Sequence, residues 1–122
     1  VYRTGDIVCI SYGDFNGETR VGIFLIVYNE KQDRHYTSSH SNILCAKITT
    51  NSFQGDGYTA RLKKGEANLQ EDCLVSLSKL HTFTNERAYK LIGRLEPYRM
   101  SQIFKEYHKF NQEIENQLME LF

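Results

Sequence analysis

Apolar and polar positions alternate along the first three quarters of the chain and then change period. Asp6–Tyr12 (DIVCISY) alternates with period two, as a half-buried strand does. Gly13–Thr19 is rich in Gly, Asp and Asn and reads as a hairpin loop. Val21–Tyr28 is a continuous apolar run, the pattern of a central strand covered on both faces. Asn29–Ser41 is a long polar loop with two histidines. Asn42–Thr49 (NILCAKIT) alternates again, and Thr50–Gly57 is a second polar loop. Tyr58–Leu62, Cys73–Leu77 and Tyr89–Leu95 complete the strand candidates.

The period then lengthens. Ile103, Tyr107, Phe110, Ile114, Leu118 and Leu121 are spaced by three and four, which makes one apolar stripe on a helix. Pro97 suits the first helical turn, where its missing N–H has no partner to lose, and Glu96 before it favours the positive helix end. The helix is placed from about Pro97 to Leu121. Many short strands and one terminal helix predict a mainly β domain: a small curved antiparallel barrel with the helix packed on it. No helical pattern lies between strands, which argues against a parallel α/β sheet.

The 122 residues suit one domain, with the barrel over about 5–95. Fifteen basic and fifteen acidic side chains cancel, which argues against bulk electrostatic attraction to nucleic acid or lipid but leaves room for a local basic patch. From Lys105 onward two lysines face four glutamates. No apolar run approaches the roughly 18 residues of a membrane span, and no signal-peptide pattern is evident, so the expected location is the cytoplasm. Cys9, Cys45 and Cys73 sit in strand-like segments without CxxC spacing and read as free thiols.

No familiar catalytic signature is present. His35 and His40 share a loop but lack a matching ligand pair, so no metal site or cofactor is expected. The polar candidates sit at strand ends. Arg20 precedes the central strand, and Thr49 and Thr50 end the alternating strand. A guanidinium with forked donors and a threonine hydroxyl together suit a phosphate clamp. Equally, arginine at a hairpin end is common and threonine is a good strand residue.

The order of segments resembles the MazF/PemK family of toxins. The family's opening "GD-V" is matched by Gly5-Asp6-Ile7-Val8, and its loop glycine and glutamate by Gly17-Glu18. Its apolar "-LVI-N" strand is matched by Leu25–Asn29, and its "-IT-" strand end by Ala46–Thr49. The "D-SV-L-QIRTID" segment is matched by Asp72–Thr84, and "L--KIG-L" by Ala88–Leu95. A terminal helix ends both.

The resemblance implies an SH3-like barrel of the MazF/PemK/CcdB type, a homodimer, and a type II toxin neutralised by a cognate antitoxin. It further implies an endoribonuclease that cuts single-stranded RNA by metal-independent attack of the 2′-hydroxyl. By position, Arg20 and Thr49 are then catalytic. Glu18, Thr50, Ser52, Phe53, Lys79 and His81 are RNA-binding, and Phe15, Phe53 and Tyr58 are stacking candidates. One motif departs. Where the family has "RP" immediately before the apolar strand, this chain has Arg20-Val21-Gly22-Ile23. Without a gap, Gly22 takes the arginine position and Arg20 lies two residues early, about 6 to 7 Å along the strand but on the same face. The competing expectation is a non-enzymatic binding module on the same scaffold.

Overall fold

A computed structural model describes residues 2–32, 41–50 and 58–121. Six strands form one antiparallel sheet: β1 (Asp6–Gly13), β2 (Thr19–Asn29), β3 (Asn42–Thr49), β4 (Thr59–Leu62), β5 (Cys73–Thr84) and β6 (Ala88–Arg94). One helix, α1 (Pro97–Glu120), follows. The strand order is β4-β5-β3-β2-β1-β6. The mainly β class and the terminal helix are as the sequence predicts.

The barrel is not closed. β4 and β6 are the two ends of the sheet order and do not pair with each other among the described residues. A 3₁₀ turn, Glu66–Asn68, stands against β6 instead. Asn68 Nδ2 donates to the Ile92 carbonyl at 3.2 Å, and the backbone of Ala67 lies so close to Gly93 that a Cβ there would be 1.9 Å from the Ala67 oxygen. A packed turn therefore does at this edge what strand pairing does in a barrel.

β5 is longer than its apolar stretch. Cys73–Leu77 continues through seven more residues to Thr84, because β3 offers partners along that whole length. The price is a bulge: Lys47 pairs with Ser76, whereas Ala46 pairs with Leu80. Such an insertion bends a strand and increases its twist.

Alternation sorts the side chains onto two faces. Ile7, Leu25, Ala46, Ile48, Val75 and Leu77 form one cluster with Met100 and Ile103 of α1. Val8, Ile10, Phe24, Ile26, Ile43 and Cys45 form the other, with Tyr2, Tyr12 and Phe83 packed against it. The helix covers the first face only. The Gly5-Asp6 motif has a structural use here: Gly5 has φ +96°, and the fully buried Asp6 carboxylate accepts from the Arg3 N–H and from Arg94 Nε.

α1 is tied to the sheet near its start and middle. Arg99 Nε donates to Glu66 at 2.6 Å, and Arg99 Nη2 to the Arg61 carbonyl at 2.7 Å. Tyr58 donates its hydroxyl to Glu106 at 2.8 Å, and its ring meets Tyr107 and Phe110. Only Met100 and Ile103 of α1 are buried. The stripe that predicts the helix is packed through Phe110, whereas Ile114, Leu118 and Leu121 are exposed.

Candidate functional site

The helix-free face of the sheet carries the candidate residues. Tyr12 pairs with Arg20 across β1 and β2, and Ile10 pairs with Gly22. Phe24 pairs with Lys47 across β2 and β3, and Cys45 with His81 across β3 and β5. Directly opposed residues share a face, and so do residues two apart on one strand. Tyr12, Arg20, Gly22, Phe24, Lys47, Thr49 and His81 therefore lie on one side.

This register locates the displaced arginine relative to Thr49. The last β2–β3 pair is Ile23 with Ile48. One further step sets Gly22 across from Thr49, with Arg20 as the diagonal neighbour. Diagonal positions are about 7–8 Å apart, within reach of a long side chain. Gly22 matters in the gap between them. A Cβ on it would lie 2.8 Å from the Phe24 ring and 3.4 Å from the Tyr12 ring. Phe24 can fold down over this position because no side chain stands there.

Arg20 is held by its own hairpin. Its Nε donates to Asp14 Oδ2 at 2.9 Å, and its Nη2 lies 3.7 Å from Glu18 Oε2. The other Asp14 oxygen accepts from the backbone N–H of Asn16 at 2.9 Å and of Glu18 at 3.0 Å. The Arg20 bond, followed by the Glu18 and Asn16 interactions, holds the Asp14 carboxyl below the usual carboxylate range. The guanidinium side chain remains 57 % exposed, so it still has donors facing water.

Beside this end of the sheet lies a cluster of rings. Phe24 meets Tyr12, Phe83 and His81 edge to face, with centroids 5.9, 5.1 and 5.7 Å apart. His81 stacks on Phe83 at 6.1 Å with 12° between planes. Burial lowers the His81 pKa first, and Lys47 and Lys79 lower it further, which disfavours the imidazolium. Lys47 is half-buried and Lys79 exposed, and both act electrostatically on the His81 ring.

Several candidates fall elsewhere. Tyr58 packs against α1 on the opposite face, so it is not a stacking surface beside Arg20. Phe15 is almost fully exposed at the hairpin tip. Glu18 serves as a carboxylate partner of Arg20, an arrangement that competes with a bound phosphate for the same cation. Thr50 is exposed just beyond β3. Ser52, Phe53, His35 and His40 lie outside the described residues. Asp14, Tyr12, Phe24, Lys47 and Phe83 were missed as site residues by sequence reasoning. Parity along β3 is a signal that finds Lys47, two positions before Thr49.

Among the described residues no group of three or more His, Cys, Asp or Glu side chains could hold a metal ion, and no helix is long and apolar enough to cross a membrane. Cys45 and Cys73 are buried free thiols and Cys9 is a half-buried one.

Comparison with known families finds one matching family model, described as a PemK-like, MazF-like toxin of type II toxin–antitoxin systems, over residues 3–110. No curated protein matches the chain.

Proposed function

The chain belongs to the PemK-like, MazF-like toxins of type II toxin–antitoxin systems, and from that membership we propose that it is an endoribonuclease acting on single-stranded RNA. Membership implies an antitoxin partner. A homodimer and a cytoplasmic location belong to the same reading.

The observation that carries the proposal is the shared face of Arg20, Thr49, Lys47 and the Tyr12–Phe24–Phe83–His81 rings. Single-stranded RNA is bound where unstacked bases meet aromatic surfaces and phosphates meet cations. In the proposed reaction the ribose 2′-oxygen attacks the adjacent phosphorus. The bond to the 5′-oxygen breaks, leaving a 2′,3′-cyclic phosphate and a 5′-hydroxyl. The proton lost by the nucleophile balances the one gained by the leaving oxygen. Negative charge on the phosphoryl oxygens grows along this path, and fixed donors aimed at it lower the barrier. Arg20 supplies charge and forked N–H groups, while Thr49 supplies a hydroxyl to a phosphate oxygen. An arginine remains protonated at neutral pH, so its part is electrostatic rather than acid–base. Lys47 and Lys79 attract the neighbouring backbone, and His81 on Phe83 offers a base a stacking surface.

The test is incubation of the purified chain with a varied pool of single-stranded RNA in EDTA. Wild type cuts and leaves cyclic phosphate ends, Arg20→Ala and Thr49→Ala do not, and DNA of the same sequences is inert. Binding of the pool without cleavage selects the non-enzymatic module instead, a reading favoured by the two carboxylates that already hold Arg20.

A further inference from the structure

We infer that Lys47 binds the RNA phosphate next to the one held by Arg20 and Thr49, so that one nucleotide spans the two positions. This deepens the reading above. It rests on single-stranded RNA as the ligand of this face and not on cleavage.

The hairpin end of the face has little net attraction for a polyanion. The Arg20 guanidinium is offset there by two carboxylates, Asp14 Oδ2 at 2.9 Å from Nε and Glu18 Oε2 at 3.7 Å from Nη2. Lys47 differs. Among the described residues no carboxylate lies within ion-pair distance of it. Its side chain is half-buried. An ammonium drawn partly out of water without a partner is costly, and contact with an anion offsets that cost.

Strand geometry sets the spacing. Ile48 belongs to the helix-side cluster, so Lys47 and Thr49 on either side of it face the other way. Two residues along a strand cover about 6 to 7 Å, close to one phosphate-to-phosphate step of an extended nucleic-acid strand. Both residues lie on β3, which is paired with β2 and with β5, so the sheet rather than a loop fixes their separation. The β3–β5 register also shifts at this point: Ala46 pairs with Leu80 and Lys47 with Ser76. A bulge of this kind re-aims a side chain.

The base of that nucleotide meets rings. Phe24 lies directly across from Lys47 and is buried, and the half-buried Tyr12, Phe83 and His81 rings pack against it. The Lys47 charge disfavours the imidazolium of His81, which places the ammonium on the ring side of the strand. Single strands are held by a cation for the backbone beside a stacking surface for the base, and lysine serves a phosphate as a point charge.

The probe is a single-stranded RNA oligonucleotide isolated from a varied pool by binding to the wild-type chain. It is 2′-O-methylated throughout, so that no 2′-oxygen attacks. Its linkages are replaced one at a time by uncharged methylphosphonates, and affinity is measured by fluorescence anisotropy. In wild type two neighbouring linkages are expected to respond most, each by about tenfold. Thr49→Ala should lose the response at one and Lys47→Ala at the other. With all phosphates charged, Lys47→Ala should weaken binding about tenfold and lower the slope of log Kd against log salt by about 0.7. Lys47→Arg should keep affinity and slope, whereas Lys47→Gln, which preserves the side-chain length, should lose both at an unchanged melting temperature.

A Lys47→Ala chain with the wild-type response at every linkage overturns the proposal. So does a linkage shared with Thr49→Ala, one more than a nucleotide away, or a pool without a binder. A wild type that cuts RNA while the Lys47 variants bind as it does keeps the ribonuclease reading and overturns this one. RNA bound in the expected pattern but left uncut when its 2′-hydroxyls are free removes the ribonuclease reading and supports this one.

Discussion

Arg20 and Asp14 are bonded across the β1–β2 hairpin, Nε to Oδ2 at 2.9 Å, and the Asp14 carboxylate is itself pinned by two backbone N–H groups of the same turn. The turn thus fixes where the guanidinium starts, and β2 fixes which face it serves. Asp14→Asn removes the charge that orients Arg20. In RNA cleavage assays it should lower kcat by about tenfold, since small losses of orientation are costly. Arg20→Lys should not rescue Arg20→Ala, because an ammonium lacks the planar fork.

Gly22 makes room for the Phe24 ring. Gly22→Ala brings a Cβ to within 2.8 Å of that ring and 3.4 Å of Tyr12, so Phe24 must tilt. The expected cost is about 1–3 kcal/mol in chemical denaturation. Cleavage should fall further than stability alone explains, because the displaced ring belongs to the face that Arg20 and Thr49 share.

His81 gives the candidate site a pH dependence. Its folded pKa lies below the ordinary 6.5 because burial, then Lys47 and Lys79, disfavour the cation. Above pH 6.5 both folded and unfolded chains hold it neutral, and its environment carries no penalty. As pH falls below 6.5 the unfolded chain takes the proton first, so stability should decline toward the folded pKa. His81→Gln should flatten that part of a melting-temperature profile between pH 7 and pH 5. RNA phosphates favour the imidazolium, so RNA affinity should rise over the same descent in wild type and not in the variant.

Burial pushes the Cys45 thiol up to about 12 and also raises that of Cys73, with Glu71 and Asp72 adding to the latter. The thiolate is the reactive form. In a timed thiol-modification assay on native protein, Cys45 should therefore stay unmodified at pH 8 and react only after denaturant is added. Rapid native labelling of Cys45 would contradict the core position of β3.

Local periodicity made much of the fold legible in the sequence. Alternation in Asp6–Tyr12 and Asn42–Thr49, the apolar run Val21–Tyr28 and the three-and-four spacing after Pro97 each report which side of an element meets the core. Those patterns hold because side-chain direction repeats every two residues in a strand and every 3.6 in a helix. They reveal elements and faces, and together with the order of short motifs they reveal the family.

Pairing partners are not periodic, and only the tertiary structure decided them. The extension of β5 to Thr84 depends on β3, the open edge between β4 and β6 on a turn that reaches Gly93, and the position of Tyr58 on α1 rather than on the ring cluster. Arg20 illustrates the division. Its type and its place before an apolar strand were written in the chain. That Asp14 would hold it, that Phe24 would lie over Gly22, and that a two-residue displacement would leave it diagonal to Thr49 follow from strand register. Register is set by contacts between residues far apart in sequence, which no local pattern encodes.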